Sequence, residues 1–161
     1  THGHELGLMY MEPSGFWDRG EDTAGVGAAA RDQGEREWVY VSIITDTPAQ
    51  GNPVRRAVGG LTLASCRLAD AADIGGLRSP GVCQHAATAG DFQFVLRRGM
   101  GAILAGTAGV TTEVRVVGSN NGGAGRSEDM AATEENSIIA MALATAANGV
   151  LYNGWINCPG A

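Results

Sequence analysis

Short runs of β-branched and aromatic residues alternate with clusters of Gly, Pro, Asn and Asp along most of the chain. The clearest run, residues 37–44, contains Trp, Tyr, Val and Ile and ends at a turn signal that includes Pro48. Such runs at intervals of about ten residues are typical of small β-barrels and β-sandwiches. The pattern therefore predicts an all-β fold, a small β-barrel or β-sandwich. The further predicted strands are 59–66, 82–85, 92–96 with 103–104, and 113–117.

The first part of the chain, residues 1–36, shows no hydrophobic period of 2 or 3.6 residues. Apolar residues without a period are typical of an arm that packs on another surface. An ordinary N-terminal strand followed by a loop is the alternative. We predict an irregular N-terminal arm at 1–36 and a β-rich domain at 37–161. The large apolar residues of the arm, which are candidates for an interface, are Met9, Tyr10, Met11, Phe16 and Trp17.

The segment 128–147 is compatible with two structures. Thr133 is a good helix cap, acidic residues follow it, and Asn148-Gly149 is a good helix stop. The frequent Ala residues also favour a short helix within 128–147. In the alternative, Asn148-Gly149 is a type I′ turn that joins 137–147 to a strand at 150–157.

The composition predicts a small hydrophobic core. The chain has 161 residues, of which 25 are Gly and 25 are Ala. Leu, Ile, Val and Phe together make up about a fifth of the chain, near the lower limit for globular proteins. A core with so few large residues is often completed by partner subunits, because association stabilises the folded state. We therefore expect a single domain that forms an oligomer.

The charged residues exclude several classes of function. The chain has 17 acidic and 11 basic residues, every basic residue is Arg, and the net charge is −6. A nucleic-acid-binding protein needs a basic stripe, which this sequence lacks. No apolar run approaches the ~18 residues that span a membrane. We expect neither nucleic acid nor a membrane among the partners.

Motifs for metals, cofactors and nucleophiles are weak. Residues 25–30 match a dinucleotide-binding pattern, but a polar segment precedes them instead of a buried strand. Gly99 and Gly101 are more typical of a bulge or tight bend than of a phosphate loop. His and Cys residues do not show metal-binding spacing. We therefore expect no cofactor and no metal. We expect the three cysteines to be buried and to stay reduced, as in a protein that is made in a cytosol.

Pairs of charged residues point to surfaces rather than to catalysis. Adjacent acids on a strand point to opposite faces, so the carboxylate doublets are poor candidates for acid–base chemistry. We expect no enzymatic activity. Paired Arg residues are typical of ion pairs at protein interfaces, with ordinary surface charge as the alternative. These pairs are Arg55-Arg56 and Arg97-Arg98. Trp38 and Trp155 lie in predicted strands and are expected in the core.

Three segments follow one another in an order known from one protein family. They are Gly81-Val82-Cys83-Gln84, Ala89-Gly90-Asp91-Phe92-Gln93-Phe94-Val95, and Ala140-Met141-Ala142-Leu143. This order resembles the decoration (head cement) proteins of tailed bacteriophages, which have a Gly-Val-Ala-Gln segment, an Ala-Gly-Asp-Tyr-x-x-Val segment and a Gly-x-Ala-Leu strand. Phe92 stands here in place of Tyr, and Ala140 in place of Gly.

The resemblance implies an all-β, non-enzymatic virion protein that is made in the host cytoplasm and binds the outer surface of the capsid. Its partners would be the major capsid protein and further copies of itself, as a homotrimer. The resemblance supplies no catalytic residues, and it favours a strand at 137–145. A phage tail or baseplate-associated protein is one alternative. A small β-fold hydrolase or carbohydrate-binding module is another, and a metal carrier that uses His2 and His4 is a third.

Overall fold

The computed structural model describes residues 6–12, 35–56, 65–68, 79–118, 125–130 and 138–158. These ranges contain ten β-strands and no helix, so the all-β prediction is confirmed. The strands are β1 (Met9–Glu12), β2 (Arg36–Ile43), β3 (Pro53–Arg56), β4 (Ser65–Leu68), β5 (Gly81–Cys83), β6 (Phe92–Leu104), β7 (Arg115–Gly118), β8 (Ser127–Asp129), β9 (Ile138–Ala142) and β10 (Leu151–Asn157).

The strands form one sheet in the order β1-β2-β4-β3-β5-β6-β10-β9-β7-β8. Strands β2 and β4 are parallel, and the other pairs are antiparallel. An additional antiparallel pairing joins β2 to β6, which links β2, β4, β3, β5 and β6 in a ring. Within the described ranges β1 and β8 lie at the two ends of the sheet and are not paired with each other, so the sheet as a whole is not closed.

Strand β6 belongs to both halves of the sheet. Its first part, Phe92 to Arg98, pairs with β2, and its second part, Arg98 to Leu104, pairs with β10. The sequence predicted a strand here that Gly99 and Gly101 interrupt and that resumes at 103–104. The structure has one continuous strand because these glycines bend the backbone without ending the ladder.

The bend in β6 depends on a bulge and on two glycines. The ladder with β2 shifts register, since Glu37 pairs with Arg98 whereas Trp38 pairs with Leu96, and this leaves Arg97 as the extra residue. Gly99 has a φ of 114°, and a Cβ there would lie 2.7 Å from the carbonyl oxygen of Glu35. A Cβ at Gly101 would collide with the side chain of Leu96. The bulge thus lies at Arg97, two residues before the predicted site, and the two glycines relieve crowding as predicted.

The core consists of two main clusters on either side of β6. Strand β2 is buried on both of its faces, so its β-branched and aromatic residues contribute to both clusters. Burying a side chain such as Val or Ile contributes roughly 1.5–3 kcal/mol. One cluster contains Val39, Val41, Ile43, Val54, Cys83, Ala87 and Val95. The larger cluster includes Trp38, Val82, Leu96, Ile103, Val116, Ala140, Tyr152 and Ile156.

Buried polar groups join segments that the strands do not pair. The Gln84 side chain accepts a hydrogen bond from the Ala102 amide at 3.0 Å and donates one to the Ala102 carbonyl at 3.1 Å. The Asn52 side chain donates to the carbonyl of Gly125 and accepts from the amide of Ala49. Unpaired buried backbone groups are costly, so these side chains stabilise the positions of β6 and of the segment before β8.

The segment 128–147 contains strands where it is described. Ser127–Asp129 is β8 and Ile138–Ala142 is β9, whereas residues 131–137 lie outside the described ranges. The helix alternative is thus wrong for 128–130 and 138–147. Pairing of β9 with both β10 and β7 overrides the helix propensity of its Ala residues.

The turn at Asn148-Gly149 joins the antiparallel strands β9 and β10, as the hairpin alternative predicts. Its amide-to-carbonyl bond runs from Val150 to Ala147 at 3.1 Å. Gly149 has a φ of 73°, but Asn148 does not have a positive φ. A type I′ turn needs a positive φ at both central residues, so that detail of the prediction is wrong.

Two strands lie where the sequence predicted none, and a third lies within the predicted arm. Within the predicted arm, Met9–Glu12 forms β1, which agrees with the alternative of an N-terminal strand. Pro53–Arg56 and Ser127–Asp129 form β3 and β8. Cys83 and Cys158 are buried thiols, as predicted, and the side chain of Cys66 is not described.

Candidate interaction surface

Strand β1 presents the largest run of exposed apolar side chains in the described part of the chain. Leu8, Met9, Tyr10 and Met11 are 42%, 55%, 49% and 51% exposed. Among the described residues β1 pairs with β2 alone, so its other edge carries backbone groups without a neighbouring strand. Natural sheets usually protect such an edge with charged residues, bulges or a covering segment. We call Leu8 to Met11 the β1 surface.

The β1 surface is held in place by contacts at both of its ends. The Gly7 amide donates to the Tyr40 carbonyl at 2.8 Å, and the Tyr40 amide donates to the Leu8 carbonyl at 2.9 Å. Tyr10 lies 6.3 Å from Phe94, ring centre to ring centre, and Phe94 lies 5.0 Å from Tyr40. This row of rings orders Tyr10 on one face of β1, whereas Met9 and Met11 point to the other face.

The two Arg residues of the pair at the bulge lie in different environments. The Nη1 atom of Arg97 is 3.0 Å from Oε1 of Glu37 and donates a hydrogen bond to Sδ of Met9 at 2.9 Å. Arg98, the next residue, is exposed to solvent. The sequence predicted an interface role for both residues. It does not show that Arg97 contacts other residues of the chain while Arg98 faces solvent.

The Arg pair of β3 lies inside the fold. Arg55 is 3% exposed, its Nε donates to the Leu68 carbonyl at 3.4 Å, and its Cα is paired with that of Arg67. Arg56 is half-buried. Neither residue adjoins the β1 surface in the strand order, so the structure does not bring the predicted interface residues together as one patch. Phe16 and Trp17 lie outside the described ranges.

A second apolar surface lies on β9, on β10 and between them, and it was not among the interface residues predicted from the sequence. Met141, Leu143 and Val150 are 43%, 39% and 49% exposed. Met141 pairs with Trp155, which pairs with Met100 on β6. Trp155 and Leu151 are half-buried and pack on Met100 and Ala102. Trp38 is buried as predicted, whereas Trp155 lies on this outer face. The sequence signal that could have revealed this surface is the alternation of outward Met141 and Leu143 with inward Ala140 and Ala142.

The titratable groups with altered pKa values serve the fold. Burial raises the pKa of the Cys158 thiol to about 12, against the opposing effects of Ser79 and Arg97. Burial also raises the pKa of Tyr152, whose hydroxyl lies 2.9 Å from that of Ser127. Hydrogen bonds from the Thr88 amide and hydroxyl lower the pKa of Asp91 in an exposed turn. A protonated thiol at neutral pH is a poor nucleophile, so Cys158 acts as a packing residue.

The carboxylates of the described residues do not converge. Glu128 is buried on β8, and Asp129 beside it accepts a hydrogen bond from the Thr111 amide at 2.9 Å. Among the residues that the structure describes, there is no group of three His, Cys, Asp or Glu side chains that could hold a metal ion. The described ranges also contain no helix with the length and hydropathy to cross a membrane.

Comparisons with known proteins find similar folds among solved structures, and one of them is a phage protein. The sequence matches no family model and no curated protein. The fold is similar to the crystal structure of the N base of head fiber gp8.5 in bacteriophage phi29, with a TM-score of 0.48 and 11% sequence identity. The similarity covers 74% of this chain and 92% of the phi29 chain. At this identity and TM-score, the similarity does not assign a function to the chain.

Proposed function

We propose that this chain is a non-enzymatic structural protein of a tailed-phage head. In this role it is a decoration protein that binds the outer surface of the shell formed by the major capsid protein and stabilises that shell. The β1 surface is the observation that carries the proposal. It leaves four large apolar side chains exposed beside a strand edge, and exposed apolar clusters of this kind are typical of protein interfaces.

The resemblance of the sequence to decoration proteins supports the same role. The segments that carry it, residues 81–84, 89–95 and 140–143, lie in β5, in the turn and start of β6, and in β9. These elements form the framework of the sheet, and none of them contains β1. The resemblance and the β1 surface are therefore two separate lines of support.

The small size of the β1 surface supports an oligomer. A standard stable interface involves roughly 20–30 residues on each side, far more than one four-residue strand offers. Three copies in a trimer would present three such strands to a symmetric shell. Linking weak sites in this way raises the overall affinity without any new contact. We therefore propose a homotrimer on the capsid surface.

The test is to mix the purified protein with expanded phage heads that lack decoration. We expect the protein to sediment with the heads and to raise their melting temperature, and light scattering of the free protein to give the mass of a trimer. Electron microscopy of the mixture locates the bound protein. Absence of both sedimentation and thermal stabilisation would reject the decoration role, and binding only to tails would support the tail-associated alternative.

A further inference from the structure

Arg97 occupies a special position because it is the extra residue of the bulge between β2 and β6. Its neighbours Leu96 and Arg98 pair with Trp38 and Glu37, whereas Arg97 has no partner in that ladder. A bulge redirects the side chain of the residue it inserts. At Arg97 this change aims the guanidinium across β2 towards β1.

The guanidinium of Arg97 bridges three parts of the sheet. Its Nη1 contacts Oε1 of Glu37 on β2 at 3.0 Å and donates to Sδ of Met9 on β1 at 2.9 Å. Its Nε donates to the carbonyl of Cys158, directly after β10, at 3.4 Å. The Arg97 carbonyl in turn accepts from the Cys158 amide at 2.9 Å. These contacts join the terminal strand β1 to the centre of the sheet.

The side chains of this bridge are shielded from solvent. The side chain of Arg97 is 22% exposed and that of Glu37 is 17% exposed. Charge-assisted hydrogen bonds of this kind are stronger than neutral ones, and solvent screens them less when they are half-buried. Met9 itself is 55% exposed, so the bridge fixes a residue that is otherwise open to a partner.

We propose that Arg97 is a positioning residue for the β1 surface. It holds β1 in register on β2 through Met9 and Glu37, and its own guanidinium stays within the chain when a partner binds. This differs from the role that the sequence predicted, in which Arg97 contacts the partner directly. The part of the inference that concerns partner binding rests on the proposed function, whereas the ordering of β1 does not.

The test compares Arg97→Met with Arg98→Met, which removes the same charge from the exposed neighbouring position. Amide hydrogen exchange is measured on peptides that cover Met9 to Glu12 and on peptides from β7, which Arg97 does not contact. We expect Arg97→Met to speed exchange in β1 by about tenfold, as the loss of roughly 1.4 kcal/mol of local stability would. Exchange in β7 should be unchanged, and Arg98→Met should leave β1 as it is in the original protein.

Two results would overturn the inference. One is unchanged exchange in β1 of Arg97→Met, and the other is faster exchange throughout the sheet, which a general structural role would produce. Should Arg97→Met fail to fold, Glu37→Gln tests the same bridge while keeping Arg97, and it should speed exchange in β1 alone. Normal exchange in that variant would also count against the inference.

Binding to undecorated heads separates the inference from the proposed function. We expect Arg97→Met to bind heads more weakly than Arg98→Met does. If the original protein does not bind heads, the decoration role fails, while the exchange result still decides whether Arg97 orders β1. If it does bind and Arg97→Met binds equally well despite a loosened β1, the positioning role is rejected.

Discussion

Strands β1 and β8 are the two terminal strands of one sheet, but β1 leaves Met9 and Met11 about half exposed, whereas β8 buries Ser127 and Glu128. The outer side of β8 is also covered. Ser127 forms a bridge with Ala105, and its carbonyl accepts from the Gly106 amide at 2.6 Å. Strand β1 has no corresponding neighbour among the described residues.

The difference shows that this fold covers the terminal strand β8 with polar contacts and leaves the terminal strand β1 open. At β8, the Ser127 hydroxyl donates to the Leu104 carbonyl at 2.8 Å and lies 2.9 Å from the Tyr152 hydroxyl. At β1, three of the four side chains are apolar, and the polar contact from Arg97 to Met9 comes from within the sheet. An unprotected apolar edge favours association, so of the two terminal strands β1 suits the proposed binding role and β8 does not.

The largest expected effect comes from Ile103→Ala, in the strand that both ends share. Ile103 is fully buried in the larger core cluster, and its truncation should cost about 2–5 kcal/mol of unfolding free energy. In urea unfolding, tryptophan fluorescence and far-ultraviolet circular dichroism should change together, because β6 connects the two halves. Two separate transitions would show that the ends belong to independent units. The exposed substitution Thr107→Ala, as a control, should change stability by less than about 0.5 kcal/mol.

Loss of the Ser127 side-chain hydrogen bonds at β8 should have the next largest effect on stability. Ser127→Ala removes the bond to Leu104 and leaves the buried Tyr152 hydroxyl without that partner, so we expect a loss of about 1–3 kcal/mol in urea unfolding. Adding Tyr152→Phe removes the hydroxyl that Ser127→Ala leaves without this partner. The double variant should therefore lose less unfolding free energy than the two single variants do in sum. Strict additivity would mean that the two hydroxyls do not support each other.

Alkaline pH should lower the unfolding free energy of the protein through Cys158, directly after β10. The pKa of Cys158 is raised from 9.0 to about 12, so the unfolded chain loses this proton at a lower pH than the folded chain does. Stability is therefore complete below about pH 9 and falls as the pH rises towards 12, by about 1.4 kcal/mol per pH unit. The raised pKa of Tyr152 acts in the same direction. Urea unfolding between pH 8 and 11 measures the slope, and Cys158→Ala should make it shallower.

The smallest effect on stability, and the sharpest on binding, is expected from Met11→Ser on β1. Met11 is 51% exposed, so the change should alter the unfolding free energy by less than about 0.5 kcal/mol. Binding to undecorated heads should weaken about tenfold, the equivalent of roughly 1.4 kcal/mol. Met141→Ser on β9 is the matched control, since Met141 is 43% exposed on the second apolar surface. Stronger loss in the control would transfer the binding role to β9 and β10.

The elements that the sequence predicted correctly are those with a local signal. Strand β2 combines β-branched and aromatic residues in one run, and a turn follows it. The position of β9 was ambiguous because its Ala residues favour a helix, and pairing with distant strands decides the outcome. Strand β1 had no visible period, since Met9, Tyr10 and Met11 are all apolar although they point to different faces.

The candidate interface could be predicted only in part. Met9, Tyr10 and Met11 are exposed, as expected of the interface residues that they were predicted to be. Their contact with a partner stays a prediction. Arg55 was predicted at an interface, with surface charge as the alternative, but it is buried in β3, a strand that the sequence did not predict. Arg97 and Arg98 are adjacent in sequence, and only the bulge in β6 separates their roles.

Strand β6 also determines how the molecule would carry a mechanical load. Its backbone runs without interruption from the ladder with β2 to the ladder with β10. A pull along this strand would load all the hydrogen bonds of each ladder at the same time instead of one after another. Rupture would then require many bonds to break at once, so the fold is built to resist tension along β6 more than peeling at β1.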